Sequence, residues 1–121
     1  MERSTGSAVR SSTRSGEVVR LHGEHDMSTA AAVGALVRQA AGARPRMVVV
    51  DLTTARFVDL SIGHELRRAA RDFPDVPVAI AYDADSQVRT VVETLFPESA
   101  GVVDEPAWQG RRIAGERAGG G

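Results

Sequence analysis

The chain has 121 residues, of which 42% are hydrophobic and 26% are charged, and its formal net charge at pH 7 is -1. This length and composition fit one globular domain with its own core, and the balanced charge excludes a broad electrostatic field for nucleic acid or anionic lipid. There are no cysteines, which excludes disulfides and thiolate chemistry and fits a reducing compartment.

The chain carries no signal for a membrane. No apolar run approaches the roughly 20 residues that a membrane span needs, and the first residues lack the apolar centre of a secretory signal. We therefore expect a cytoplasmic protein that binds neither membrane nor nucleic acid.

Both ends of the chain are rich in small and polar residues. Residues 1–15 are mostly Ser, Thr, Arg and Gly and predict a flexible tail that contains a short edge strand around Ser7 to Arg10. Residues 117–121, RAGGG, predict a second flexible tail. The ordered domain is expected to span residues 16–116.

The ordered region opens with a strand pattern and a helix pattern. Residues 17–23 (EVVRLHG) alternate as a strand does. Residues 28–43 predict an amphipathic helix with Ser28 or Thr29 as its N-cap. The apolar stripe of that helix consists of Ala32, Val33, Leu36, Val37 and Ala40.

The alternation of strand and helix continues to the end of the domain. The run RMVVVDLT is typical of a strand buried on both faces, and Asp85 or Ser86 is expected to cap the third helix. This order predicts an α/β fold, a central mostly parallel or mixed sheet flanked by helices. The further elements are expected at 46–53 (strand), 61–73 (helix), 76–82 (strand), 85–96 (helix), 101–105 (strand) and 106–117 (helix).

Two corners of this pattern resemble the STAS domain, a family named for sulphate transporters and anti-sigma-factor antagonists. The family's first signature is a strand ending in Gly-Glu-x-Asp before a helix that starts with Ser or Thr, and residues 23–26 (GEHD) and 28–30 (STA) are similar to it. The second is a buried strand ending in Asp-Leu-Ser/Thr, followed by a Phe-x-Asp-Ser-Ser/Ala-Gly corner. It is similar to residues 50–53 (VDLT) and 57–63 (FVDLSIG).

The resemblance implies a single STAS-like domain that is not an enzyme and needs no cofactor or metal. It implies a partner-switching module in transcription signalling, whose partner is a serine-kinase-like anti-sigma factor. In the family, the kinase reverses binding by phosphorylating the Ser directly after the corner Asp. Here Leu60 holds that position and has no hydroxyl, so the usual phosphoswitch is expected to be lost or moved to Ser61.

The same resemblance implies a contact surface at the two corners, with more than one role open for its residues. Asp59 caps the turn or orients a modified hydroxyl, Ser61 is a helix N-cap or a phosphoacceptor, and Leu60 is an exposed contact or a core residue. The expected partner-binding residues are Asp26, Ser28, Asp59, Leu60, Ser61 and His64.

Two other interpretations stay open. One is a divergent STAS domain that binds a small ligand or scaffolds a different signalling complex. The other is a metal-dependent enzyme built on His22, His25 and His64, because imidazole and carboxylate groups bind zinc. Glycine-rich phosphate loops and the usual serine-nucleophile motif are missing from the sequence, which argues against an enzyme. The sequence specifies neither the identity of the partner nor the oligomeric state.

Overall fold

The computed structural model describes residues 6–14, 16–83 and 85–96. These residues form strands and helices in the order β-β-α-β-β-α-β-α. The strand and helix expected at 101–105 and 106–117, and the tail 117–121, lie outside the described residues. The elements are β1 (Ser7–Thr13), β2 (Gly16–His25), α1 (Met27–Gly42), β3 (Val48–Asp51), β4 (Ala55–Val58), α2 (Leu60–Arg71), β5 (Val78–Ala81) and α3 (Val88–Leu95).

The described strands form one mixed sheet. Its order is β1-β2-β3-β5, and β4 pairs with the carboxyl end of β2. β1 runs antiparallel to β2, whereas the other pairings are parallel. This arrangement confirms the α/β fold that the alternation of strands and helices predicts.

Buried side chains lie on both faces of the sheet. The larger group includes Val19 and Val48 together with the inward residues of all three described helices. The smaller group includes Val18 and Val49, the next residues along the same strands. Successive side chains of a strand point to opposite faces, so β3 is buried on both, as its continuous apolar run predicts.

The helices α1 and α2 approach each other closely at Gly34. A Cβ atom on Gly34 would overlap with Oε2 of Glu65. The Glu65 carboxylate accepts hydrogen bonds from Arg38 at 2.7 Å and Arg68 at 2.8 Å, and Arg38 also donates to Asp72 at 2.8 Å. The hydrogen bond from Arg38 is the largest cause that holds the pKa of Glu65 below its ordinary value, followed by that from Arg68. A glycine on one helix thus makes room for an ion-pair network between two helices.

Several element boundaries differ from the predicted ones. Residues 55–58, expected as part of a loop, form β4, and β1 continues to Thr13 instead of ending near Arg10. α2 ends at Arg71, before the expected residue 73. β4 and the longer β1 arise from pairing with β2, which no local pattern decides.

The third helix begins later than expected. The Asp83 carboxylate accepts from the amide of Asp85, and the Asp83 carbonyl accepts from Ser86, which holds this segment in a turn. The N-cap position belongs to Gln87, which makes no side-chain cap bond. The predicted caps Asp85 and Ser86 are therefore wrong.

The apolar stripe of α1 is confirmed only in part. Val33, Val37 and Ala40 are buried, but Leu36 is half-buried and Ala32 is exposed. Separately, none of the described helices has the length and apolar character to span a membrane.

Candidate partner-binding site at the start of helices α1 and α2

The two sequence corners meet at the carboxyl ends of β2 and β4. His25 lies opposite Val58 in the parallel pairing, and the amide N–H of Asp59 donates to the carbonyl of His25 at 3.2 Å. α1 begins directly after β2, and α2 begins directly after β4. The two corner acids, Asp26 and Asp59, are therefore neighbours at one edge of the sheet.

Both corner acids are helix N-caps. Oδ1 of Asp59 accepts from the amide of Ser61 at 3.0 Å and from its hydroxyl at 2.5 Å. Oδ1 of Asp26 makes the same two contacts with Ser28, at 2.9 and 2.6 Å. Each carboxylate thus accepts a hydrogen bond from a backbone N–H that would have no acceptor within its own helix. The predicted N-caps Ser28, Thr29 and Ser61 are wrong, because the preceding acid holds that position in extended backbone and the serine is the second helical residue.

The first residue of each helix is apolar and exposed. Met27 is 73% exposed and Leu60 is 50% exposed. Phe57, at the same end of β4, is 40% exposed. All three lie within two residues of His25 or Val58, the pair that joins the two corners, and neighbouring exposed apolar groups are a common mark of a binding surface. We refer to Met27, Phe57 and Leu60 as the apolar corner.

Polar and charged groups surround the apolar corner. The exposed pair of Arg56 and Glu24 lies at its strand side, with 3.3 Å between their nearest charged atoms. His64 is exposed one helical turn after Leu60. Of the other expected contact residues, Asp26 and Ser28 are exposed, while Asp59 and Ser61 are half-buried. All six therefore lie along one edge, and none is sealed inside the described part of the protein.

His25 has a structural position beneath this surface. It is buried, and its Nδ1 lies 2.9 Å from the hydroxyl of Thr29. Its Nε2 lies 3.2 and 3.1 Å from the carbonyls of Ser7 and His22. Since carbonyl oxygens only accept, Nε2 carries a proton. His25 joins β1, β2 and α1 and is not part of the exposed surface.

The described residues provide little support for a metal centre. Within residues 6–14, 16–83 and 85–96, no three His, Cys, Asp or Glu side chains are grouped so that they could hold an ion. His25 is enclosed by its hydrogen bonds, whereas His64 is exposed on α2.

Gln87 supports the corner and was missed by the sequence interpretation. Its side-chain carbonyl accepts from the amide of Val58 at 3.0 Å, and its side-chain N–H donates to the carbonyl of Val58 at 2.9 Å. The amide group thus pairs with β4 as a neighbouring strand would, one residue before Asp59. No local pattern could indicate this contact, because 29 positions separate the two residues.

The mixed sheet and the helices packed on it are similar to the fold of solved anti-sigma factor antagonists. The chain is similar to the crystal structure of an anti-sigma factor antagonist from Mycobacterium paratuberculosis, with a TM-score of 0.74 and 17% identity, over 89% of this chain and 95% of that chain. It is also similar to the anti-sigma factor antagonist SpoIIAA in its unphosphorylated form, with a TM-score of 0.64 and 17% identity, over 85% of this chain and 93% of that one. Family models and curated proteins show no match to the sequence. The resemblance seen in the two motifs is thus confirmed at the level of the fold.

Proposed function

We propose that this protein is a non-enzymatic binding module that acts as an anti-sigma factor antagonist in the cytoplasm. The proposed partner is a serine-kinase-like anti-sigma factor. The observation that carries the proposal is the exposed Leu60 at the start of α2, on a fold shared with two anti-sigma factor antagonists. The proposed contact residues are Asp26, Ser28, Asp59, Leu60, Ser61 and His64.

The physical argument rests on the apolar corner. Full burial of a leucine, methionine or phenylalanine side chain is worth about 1.5–3 kcal/mol. Met27, Phe57 and Leu60 keep much of that surface in water in the free protein. A partner that covers the corner gains this free energy, and the acids Asp26 and Asp59 beside it favour basic groups at the rim of the partner.

The capping geometry makes the corner a ready-formed surface. At the start of each helix, two hydrogen bonds join the serine to the capping aspartate. The side chain of Gln87 holds β4, the strand that precedes Asp59. A surface that is already ordered loses less conformational entropy on binding.

We further propose that binding does not respond to the kinase reaction. Leu60 offers no hydroxyl, and Ser61, the other candidate acceptor, is half-buried with its hydroxyl donated to Asp59. A phosphate on Ser61 would stand beside the Asp59 carboxylate, where like charges repel. Incubation with the kinase and ATP, followed by intact-mass measurement, is expected to return the unmodified mass. Stoichiometric phosphate that disappears in the Ser61→Ala variant would instead establish Ser61 as the phosphoacceptor.

The binding proposal is tested by titration calorimetry against purified kinase-like anti-sigma factors from the same organism. Leu60→Asp places a charge in the apolar corner and is expected to weaken binding by about tenfold or more, corresponding to a loss of at least about 1.4 kcal/mol. Val9→Asp is the matched control, because Val9 is 53% exposed on β1, away from the corner. It is expected to leave affinity unchanged. Equal losses for both variants, or no binding by the natural sequence, would contradict the proposal.

A further inference from the structure

The arginines of the described residues fall into two groups. Those of the first group donate to a carboxylate or a carbonyl of the protein, and they are Arg10, Arg20, Arg38, Arg56, Arg67, Arg68 and Arg89. Those of the second group have no side-chain acceptor within residues 6–14, 16–83 and 85–96, and they are Arg14, Arg44, Arg46 and Arg71. Three members of the second group, Arg14, Arg44 and Arg46, lie in the two connections that lead into β2 and β3.

These two connections meet beside a cavity. β2 and β3 start side by side in parallel pairing, and the amide of Glu17 donates to the carbonyl of Met47 at 3.0 Å. A cavity of about 240 Å³ opens there, and Arg14 and Arg46 both line it, one from each connection. Two exposed guanidinium groups that are distant in sequence are thus brought to one concave place.

Glu17 also lines the cavity, but its carboxylate is already paired. It accepts from Arg10 at 2.7 Å and from the hydroxyl of Ser12 at 2.6 Å. The hydrogen bond from Arg10 is the largest cause that holds the pKa of Glu17 below its ordinary value. The negative charge of Glu17 is therefore balanced by Arg10, and the charges of Arg14 and Arg46 are left for a ligand.

The backbone at Arg44 is an independent sign of function at this place. Arg44 has a φ of 58°, the left-handed conformation that glycine usually adopts just after a helix. An L-residue is less stable than glycine in this conformation, and the other left-handed positions of the described residues, Gly16 and Gly23, are glycines. Strained backbone is concentrated at functional sites. The arginine adds a third positive charge, between two residues that line the cavity.

We propose that Arg14, Arg44 and Arg46 form a binding site for a phosphate monoester. Guanidinium groups bind phosphate oxygens through charge-assisted hydrogen bonds, and a phosphate carries up to two negative charges, which suits a cluster of three arginines better than a single carboxylate does. The cavity is smaller than the roughly 300 Å³ at which pockets for larger ligands begin. It therefore takes the phosphate and a small attached group.

This site is separate from the apolar corner. The cavity lies at the first residues of β2, whereas the apolar corner lies at the other end of the same strand. β2 has ten residues, which corresponds to about 30 Å. The phosphate site consequently does not depend on which partner the apolar corner binds.

Titration with glycerol 3-phosphate, followed by NMR of the backbone amides at constant ionic strength, tests the proposal. The amides of Gly16 and Arg46 are expected to shift in a saturable way, and that of Leu60 is expected not to move. The double variant Arg14→Gln/Arg46→Gln is expected to raise the dissociation constant by about tenfold or more. Arg71→Gln is the matched control, because Arg71 is also exposed and without an acceptor in the described part of the chain, but lines a different cavity.

Arg44→Gly separates binding from folding. Glycine relieves the backbone strain, so the urea midpoint without ligand is expected to rise by about 0.5 M, while the affinity for glycerol 3-phosphate is expected to fall. A variant with a higher midpoint has not failed to fold. If Arg44 only stabilises the end of α1, the substitution lowers the midpoint and leaves the affinity unchanged, which would overturn the role of Arg44 in the site.

Vesicles with and without phosphatidic acid identify the source of the phosphate. Co-sedimentation that requires phosphatidic acid, and that the double variant loses, would assign the site to a lipid head group. Saturable binding of glycerol 3-phosphate without co-sedimentation would assign it to a soluble ester. Both results support the phosphate site. Shifts that do not saturate together with no co-sedimentation, or equal losses for the double variant and Arg71→Gln, would overturn it.

Discussion

At the scale of single residues, the side chain of Asp59 holds the first turn of α2 in place by its hydrogen bonds. It accepts from the amide and the hydroxyl of Ser61 and more weakly from the amide of Ile62, at 3.4 Å. Asp26 repeats the first two contacts at the other corner. The side chain between each acid and its serine is left to face solvent. The same short motif therefore caps a helix and exposes an apolar side chain at its start.

Replacement of this cap tests its contribution to stability. Asp59→Ala removes the acceptor for the first turn of α2 and is expected to lower the free energy of unfolding by about 1 kcal/mol. Asp59→Asn keeps a capping oxygen and is the matched control, with a much smaller expected loss. Urea unfolding followed by circular dichroism measures both values. An alanine variant as stable as the natural sequence would show that α2 needs no cap at this position.

At the scale of elements, the sequence predicts those parts of the fold that carry a local signal. The apolar run at 46–53 predicts β3, because a strand buried on both faces cannot alternate with polar residues. β4 carries no such signal, since it has four residues and two of them, Arg56 and Phe57, are exposed. It exists because Ala55, Phe57 and Val58 pair with the end of β2, a contact that no local pattern contains.

The candidate site was predictable to a similar extent. The motif resemblance predicts that the two corners form the contact surface, and the structure brings the corners together through the pairing of His25 with Val58. The choice of cap was not predictable, because aspartate and serine cap helices about equally well. The backbone conformation decides which residue is the cap, because Asp59 has the extended torsion angles of an N-cap and Ser61 is already helical. The exposure of Leu60 depends on the same backbone register.

The ion-pair network between α1 and α2 makes part of the stability dependent on pH. The ordinary pKa of Glu65 is 4.5, and hydrogen bonds from Arg38 and then Arg68 lower the pKa in the folded protein. A carboxyl group whose pKa is lowered by folding stabilises the protein above its ordinary pKa. That contribution is lost as the pH falls through the folded-state pKa. Acidification from about pH 5 downward should therefore weaken the contact between the two helices.

Glu65→Gln tests this dependence. Above about pH 5 the variant is expected to be less stable than the natural sequence by about 1 kcal/mol, a value reduced for the partial exposure of both arginines. The difference should shrink towards zero as the pH falls from 4.5 through the lowered folded-state pKa of Glu65. Urea unfolding at a series of pH values measures it. Glu93→Gln is the control, since the pair of Glu93 and Arg89 is exposed and such pairs contribute little. A difference for Glu65→Gln that stays constant across this range would contradict the assignment.

At the scale of the whole molecule, the residues that hold the fold and those that form the apolar corner are separate, although they alternate along the chain. Leu60 is exposed at the start of α2, whereas Ile62, two residues later, is fully buried in the larger core group. A substitution at position 60 should therefore change what the surface does without changing the fold. The same type of change at position 62 should strongly destabilise the fold.

Leu60→Ser applies this separation to the proposed function. The substitution is expected to change the free energy of unfolding by no more than about 0.5 kcal/mol, whereas Ile62→Ala is expected to cost about 2–5 kcal/mol. With the kinase and ATP, the Leu60→Ser protein is expected to gain one phosphate at position 60, at the positive end of α2, and then to release the partner. Intact mass, calorimetry before and after the reaction, and urea unfolding measure these outcomes.

If the kinase binds the variant and leaves it unmodified, the missing hydroxyl is not the reason why this protein lacks a phosphoswitch. If the phosphorylated variant still binds with unchanged affinity, the start of α2 is not the contact surface. The two negative charges of a phosphate would change the affinity of any partner that covers this surface.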